Sequence, residues 1–393
     1  MPRVLYIGSG SPWQGGAGFL VRQQLFLGAL ANVAELQLAM FDSDASNLPD
    51  YATHHIALTK PTRRSYGKIR SLLADRFDPM PRSLRGYDLT IPRQQVAALN
   101  PASFDAVFGY RIDFSHFAGV LNHPRLMLDI DDPEHIRNTR RLQTLGLVVD
   151  PRTEADIAKL RRFEQTAVAG AKLAFVCQAN DQDGWATPPE VVPNCIPVPT
   201  DPPRNVSKPI VLFVGNCAGS ISSPNVDAVR FFLAEVWPKV KTAVPAAEFH
   251  IVGATSDVVR QPAQNAPGVV VRGFVDDLEA VYAESSVSVA PIRFGTGTRI
   301  KILDAFAHAC PVVSTLPGAE GIAAVPGAEI ELAAGPEDFV ALTVALLNDP
   351  NRNRMIGQNG HALALREYDS TVQQRKLETR FKEFLTLRQS EGK

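Results

Sequence analysis

The sequence predicts two doubly wound α/β domains in tandem. Three observations carry that expectation. Short apolar runs ending on glycine alternate with stretches of helical periodicity, first from Val4 and again from Ile210. The second series opens on Ile210-Val211-Leu212-Phe213-Val214, a continuous apolar run of the kind a parallel strand covered on both faces requires. Between the two series lies a proline-rich stretch, Val191 to Pro203, whose composition marks a linker. A length of 393 residues also suits two domains of ordinary size better than one.

In the first half, Val4–Ile7 reads as a strand ending at Gly8. The loop Ser9 to Gly18 follows, with Gly15 and Gly16 within it, and then a helix marked by Leu20, Leu25, Leu27 and Leu30. The unit suits close approach of a phosphate. The strict dinucleotide fingerprint is not met, because Gly8-Ser9-Gly10 is followed by Trp13 where glycine is needed, so a nicotinamide cofactor is not expected. Further strands are expected at Glu35–Met40, Asp105–Tyr110, Leu126–Ile130 and Leu173–Cys177, with a helix over Arg152–Ala171. The segment Lys60 to Arg93 differs in kind, holding nine cations against three acids and broken by Pro61, Pro79, Pro81 and Pro92. It reads either as a solvated insertion with a short helix near Lys68–Arg76, or as a basic face for anionic headgroups or an anionic acceptor.

In the second half, strands are expected at Ile210–Val214, Glu248–Val252, Val269–Arg272, Val287–Ala290, Val312–Val313 and Ala328–Leu332. Helices are expected from Pro224 through Val236, over Leu278–Ala283, from Ile300 to the stop at Cys310-Pro311, and over Pro336–Leu347. The expected division is 1–195, 196–370 and a terminal helix within 371–393 that packs back toward the first domain. Tandem sheets of this kind bind ligands beyond the carboxyl ends of their strands, in the cleft between domains.

Composition excludes several classes. A formal net charge of -1 makes no case for nucleic acid. Cys177, Cys195, Cys217 and Cys310 are scattered and form no Cys-x-x-Cys pair, which argues against a disulfide framework or a cysteine metal cluster. The start, Met1-Pro2-Arg3-Val4, is followed by no apolar signal core, and no run approaches a membrane span of roughly 18 residues. A reducing, cytoplasmic location is the expectation.

The chemistry concentrates in Ala290 to Thr315, which reads as strand, glycine-rich turn, helix, strand. The turn brings Arg293, Arg299 and Lys301 around Gly295, Thr296, Gly297 and Thr298. Free N–H groups at a helix start with cations beside them suit an anionic ligand such as a diphosphate. An ordinary βαβ turn with solvated cations has the same outline.

These residues, in this order, resemble a known family. Phe213-Val214-Gly215, Pro224-Asn225-Val226-Asp227, Ile251-Val252-Gly253, Gly273-Phe274-Val275-Asp276-Asp277-Leu278, the stretch Ala290-Pro291 to Asp304-Ala305, and Pro311-Val312-Val313-Ser314-Thr315 are similar to the donor domain of GT-B glycosyltransferases, the retaining group 1 or family 4 enzymes. The resemblance is dense over Val192 to Asn359 and thin before it. It implies two Rossmann-like domains facing across a cleft. It also implies transfer of a sugar, with retention, from a nucleotide-diphosphate sugar to a glycan or lipid-linked acceptor. No cofactor beyond the donor substrate is implied, and the cations suffice to neutralise the leaving group without a metal. The family's paired glutamates would fall on Thr296 and Asp304, neither a glutamate, and the branch with Gly-x-Gly-x-Arg-x-Lys fits better.

By this resemblance Arg299 and Lys301 stabilise the departing diphosphate, and Arg293 reaches the same phosphates or braces the loop. Asp304 takes the ribose hydroxyls, unless it is only an ion-pair partner of Lys301 one turn away. Gly273, Phe274 and Val275 face the base, Gly215 and Asn216 line the donor site, and Gly15 and Gly16 approach from the other domain. No nucleophile stands out, so front-face attack is expected, with the leaving phosphate taking the acceptor's proton. His116 and His135 are candidate sugar contacts or ordinary histidines. Asp129 and Asp131 match the Asp-x-Asp metal pattern of another glycosyltransferase class. A nucleotide-sugar 2-epimerase and a non-catalytic relative of the same fold are the alternatives. Contact with the inner membrane face would run through residues 60–93.

Overall fold

The computed structural model describes residues 1–14, 18–52, 54–63, 68–144, 149–220, 223–295 and 299–386. The chain forms two compact units, Met1–Asn194 with Gln373–Lys393, and Cys195–Val372. Both are α/β with wholly parallel main sheets, as the alternation of elements predicts.

The first unit holds a seven-stranded sheet in the order His54–Leu58, Glu35–Phe41, Arg3–Ser9, Ala106–Tyr110, Leu126–Asp131, Leu173–Val176, Glu190–Val191. The order reverses beside Arg3–Ser9, the doubly wound pattern. Its core is aromatic: Phe26 lies 5.1 Å from Phe108 and 5.3 Å from Phe175 between ring centroids. Phe381, on the helix Ser370–Thr386, meets all three rings, so the end of the chain belongs to this core. Buried in the same unit, Arg22 donates to both oxygens of Asp129, at 2.8 and 2.6 Å.

The second unit holds six strands in the order Val269–Gly273, Glu248–Val252, Ile210–Val214, Val287–Ala290, Val312–Thr315, Glu331–Ala333. Neighbouring residues of the central strand face opposite layers. Phe213 packs with Phe232, Trp237, Phe249 and Phe339, whereas Leu212 packs with Tyr282, Ile302, Leu303 and Phe306. Every apolar position of that strand is therefore covered, which is why the sequence shows no polar alternation there.

Three elements differ from expectation. The last strand is Glu331–Ala333 and not Ala328–Leu332. Gly327, at φ 75, turns the chain back so that its N–H reaches the Ile330 carbonyl at 2.8 Å, which takes Ala328 to Ile330 out of the sheet. The helix from Pro224 runs on to Ala243 through a π-helical turn at Phe232–Val236. Pro238 has no N–H for the regular ladder, and the wider turn accommodates it. The segment 60–93 is not simply solvated: Arg82 and Arg85 both bind Asp75, at 2.8 and 2.7 Å, and Arg85 is buried.

Candidate active site

In the second unit the strand order reverses between Ile210–Val214 and Val287–Ala290. A ligand crevice opens at the carboxyl ends of strands placed this way. Gly215 follows the first strand and the loop from Pro291 follows the second, so the sheet itself brings the sequence-selected residues together.

Lys301 stands on the first turn of the helix Ile300–Ala307, whose Ile302, Leu303, Ala305, Phe306 and Ala307 are buried against the sheet. That burial fixes the helix and turns Lys301 toward the strand ends. Its Nζ donates to Asn225 Oδ1 at 2.6 Å and sits 4.2 Å from the centroid of the Phe213 ring. Gly215 makes room for it, since a Cβ there would lie 3.0 Å from the ammonium. Burial pulls the Lys301 ammonium down to about 7, with nearby Arg299 adding and Cys217 and Asp304 opposing. Asp304, one turn along, is pushed up to about 7 by burial, against the pull of Lys301. Both groups are therefore close to giving up their charge at neutral pH.

Arg299 precedes that helix, and its guanidinium underlies Gly295, where a Cβ would stand 3.1 Å from one Nη. Gly295 is at φ 115, so both the backbone angle and the close approach require glycine. Arg293 is engaged with Asp227, its Nε donating at 2.9 Å, and its guanidinium lies 4.9 Å from the Phe231 ring. This geometry braces the loop from Pro291 against the helix that begins at Pro224. Thr296, Gly297 and Thr298 fall outside the described residues, as do Gly15 and Gly16.

On the other side of the crevice, the Gly215 N–H donates to Val252 O at 2.9 Å, and Asn216 Oδ1 accepts from Ala218 N at 2.9 Å. Gly273 is at φ 71 and ends its strand. The chain then presents Phe274 to solvent, 80% exposed, while Val275 packs into the core beside Tyr282. Asp277 caps the next helix by accepting from Ala280 N at 3.0 Å.

The remaining candidates lie in the first unit. Asp129 is held by Arg22, and Asp131 lies 3.4 Å from the same guanidinium. Among the described residues no three His, Cys, Asp or Glu side chains gather as a metal site. His135 pairs through Nδ1 with Glu164 and meets Trp185 edge-on at 5.6 Å. His116 packs edge-on against Phe163, and burial, with Arg93 adding, pushes its imidazole down to about 4.

Residues 208–349 match the family model described as glycosyl transferases group 1. That span lies within the second unit, which therefore resembles the group 1 glycosyltransferases over most of its length. The matched span contains the whole crevice from Gly215 through Asp304. One curated relative, an uncharacterized 44.6 kDa protein of the cps region of Klebsiella pneumoniae, is 24% identical over 168 residues, which is 41% of this chain and 42% of that protein's length. Solved glycosyltransferase structures resemble nearly the whole chain. Sucrose-phosphate synthase from Thermosynechococcus elongatus superposes with a TM-score of 0.66 at 15% identity, covering 98% of this chain and 100% of that one. HepE from Anabaena, in complex with UDP and glucose, gives 0.62 at 14% identity, with 97% and 99% coverage. WaaG, a glycosyltransferase of lipopolysaccharide biosynthesis, gives 0.61 at 11% identity, with 96% and 99% coverage. At these identities the likeness establishes the GT-B fold. Lys301, Arg299 and Asp304 stand where the strand order of this sheet reverses.

Sequence reasoning did not single out Phe213 or Asn225 as parts of the site. Phe213 looks like any core residue of an apolar strand. Asn225 carried a signal, being a polar residue just inside a helix that follows a glycine loop.

Proposed function

We propose that the protein transfers a sugar from a nucleoside-diphosphate sugar to a glycan or glycolipid acceptor, with retention and without a metal ion. The observation that carries the reading is the ammonium of Lys301 fixed at the strand switch point beside Arg299, in a domain that matches the group 1 glycosyltransferases. Breaking the bond between anomeric carbon and phosphate leaves growing negative charge on the diphosphate. Cations already aimed at that position stabilise it without reorganising. Asp304 accepts from the ribose hydroxyls and Gly273 to Val275 receive the base, with Phe274 as an exposed ring beside it. Retention follows from front-face attack, the departing phosphate taking the proton of the acceptor hydroxyl. The complex of HepE with UDP-glucose supports a nucleotide sugar as the donor class.

The test is turnover across a panel of UDP-, GDP- and ADP-sugars, in EDTA and after addition of manganese. Release of nucleoside diphosphate from at least one donor is expected, at the same rate in both conditions. Turnover that is lost in EDTA and restored by manganese overturns metal independence. No turnover of any donor, with or without a glycan acceptor, overturns the reading itself.

The acceptor side of the proposal places the protein at an anionic membrane surface in the cytoplasm. Among the described residues no helix is long and apolar enough to cross a membrane. The helix Lys68–Phe77 instead exposes Leu73 (54%) and Phe77 (72%), with Arg76 5.7 Å from the Phe77 ring and Arg63 also exposed. Each basic residue near an anionic bilayer contributes about 1 kcal/mol, so a few suffice for peripheral binding. At low salt, sedimentation with vesicles of anionic lipid should exceed sedimentation with neutral vesicles, and Arg76→Glu with Phe77→Ser should remove most of the difference. Equal partitioning of the unmodified protein onto both would end this part of the proposal.

A further inference from the structure

We infer that Asn225 is a positioning residue that holds the Lys301 ammonium in a single orientation; the inference rests on the reading of Lys301 as the group that meets the departing phosphate. Asn225 lies just inside the helix Pro224–Phe231, and Lys301 on the helix Ile300–Ala307, separated by 76 positions. Their meeting is a product of the sheet order and not of local sequence.

The carboxamide is fixed at both ends. Its Nδ2 donates to the Asn216 carbonyl at 3.0 Å, which leaves Oδ1 directed at Lys301 Nζ, at 2.6 Å. A carboxamide holds one carbonyl acceptor and two N–H donors in a rigid relation, and here the carbonyl serves Lys301 while the amino group serves Asn216. Beneath the ammonium lies the Phe213 ring at 4.2 Å, and beside it the bare Cα of Gly215. Lysine alone is a flexible four-carbon stem carrying a point charge with rotatable donors. A ring face, an absent side chain and one carbonyl oxygen reduce its choices. Of the three, only the Asn225 oxygen is directional. It also favours the protonated form, because a carbonyl accepts from an ammonium and gains nothing from a neutral amine's lone pair.

The role is separable from a merely structural one. If Asn225 acts through Lys301, its removal matters only while the lysine is present, and a double-mutant cycle detects this. Asn225→Ala is expected to lower kcat by roughly 10- to 100-fold, while donor KM changes by less than about threefold. In a Lys301→Ala background the same substitution should change kcat by less than about twofold. An equal loss in both backgrounds, or near-normal kcat in the single variant, overturns the inference.

A second readout does not depend on turnover. After reductive 13C-methylation, the Lys301 resonance, identified by its absence in Lys301→Ala, reports the titration of Nζ. Asn225→Ala should move that titration down by about one pH unit, and Asn225→Asp, which keeps an oxygen and adds a charge, should move it up. A titration unmoved by Asn225→Asp overturns the inference, even if the alanine variant fails to fold. If the unmodified protein transfers no sugar from any donor, the glycosyltransferase reading fails while the titration still decides the contact.

Discussion

Lys301→Ala is expected to lower kcat by roughly 10²–10³-fold while nucleoside-diphosphate affinity falls far less. On the proposed reading the lysine meets charge that grows as the sugar–phosphate bond lengthens, so its contribution is larger in the transition state than in the bound donor. In that proposal Arg299, the helix-start amides and Asp304 remain to bind the ground state. Lys301→Arg should recover only part of the loss. A guanidinium is planar and longer, and the space above the Phe213 ring between Asn225 and Gly215 is shaped to a compact ammonium. The pH dependence carries a second signature. The proposed reaction needs Lys301 protonated and Asp304 ionised, and burial draws both groups to about 7. The profile of kcat/KM should therefore be a narrow bell centred near neutrality, whose limbs belong to the pair. The profile of kcat should extend further to alkaline pH, because bound diphosphate favours the ammonium. The measurements are kcat and kcat/KM against pH, with calorimetric affinity for UDP or GDP. Near-normal kcat in folded Lys301→Ala means that the lysine is structural.

Much of this was legible in the sequence because the deciding signals are local. Ile210 to Val214 announces a doubly covered strand, and the helix after Arg299 follows from Ile300, Leu303 and Ala307 at helical spacing. The fold class, the strand ends and the two cations of the turn follow from such patterns. What the sequence did not disclose depends on contacts between distant elements. Arg22 and Asp129 lie 107 positions apart, and only their pairing explains why either charge is tolerated in the core. The partner of Lys301 is hidden for the same reason: spacing suggests Asp304 on its own helix, yet the Nζ bonds to Asn225 across the crevice. Local turn chemistry also decided one strand, since Gly327 moved the last one to Glu331–Ala333. Charge counts in 60–93 do not disclose that Arg82 and Arg85 both serve Asp75.

Lys301→Met is expected to abolish most turnover and yet raise the melting temperature of the ligand-free protein. Methionine, one atom shorter, keeps most of the apolar stem of lysine without its charge. In the native state burial makes the ammonium costly, pulling Lys301 from its ordinary 10.5 down to about 7. The sign follows by linkage. Below pH 7 the lysine is charged both folded and unfolded, so the folded state bears the whole desolvation cost. Between about 7 and 10 the unfolded chain holds a proton that the native lysine has released, so stability of the unmodified protein rises with pH across that interval. The advantage of Lys301→Met should therefore be greatest at pH 6 and shrink as pH climbs toward 10. One pH unit corresponds to about 1.4 kcal/mol, and allowing for the crevice's access to water leaves roughly 2 kcal/mol at pH 6. At about 2–4 °C per kcal/mol, that is a rise of several degrees in the unfolding transition. Asp304 moves oppositely: its carboxyl is raised to about 7, so it withdraws stability as pH rises from 4 to 7, and Asp304→Asn should remove that decline. Saturating nucleoside diphosphate should narrow the gap between the two proteins, since it stabilises the form that keeps the ammonium somewhat more than the form that lacks it. Differential scanning calorimetry at pH 6, 8 and 9.5, with and without UDP or GDP, makes the comparison. A Lys301→Met protein that melts below the unmodified one at pH 6 would mean that Asn225 and the Phe213 ring more than offset the desolvation of the lysine, and that the unliganded crevice does not hold a destabilised charge in readiness for phosphate.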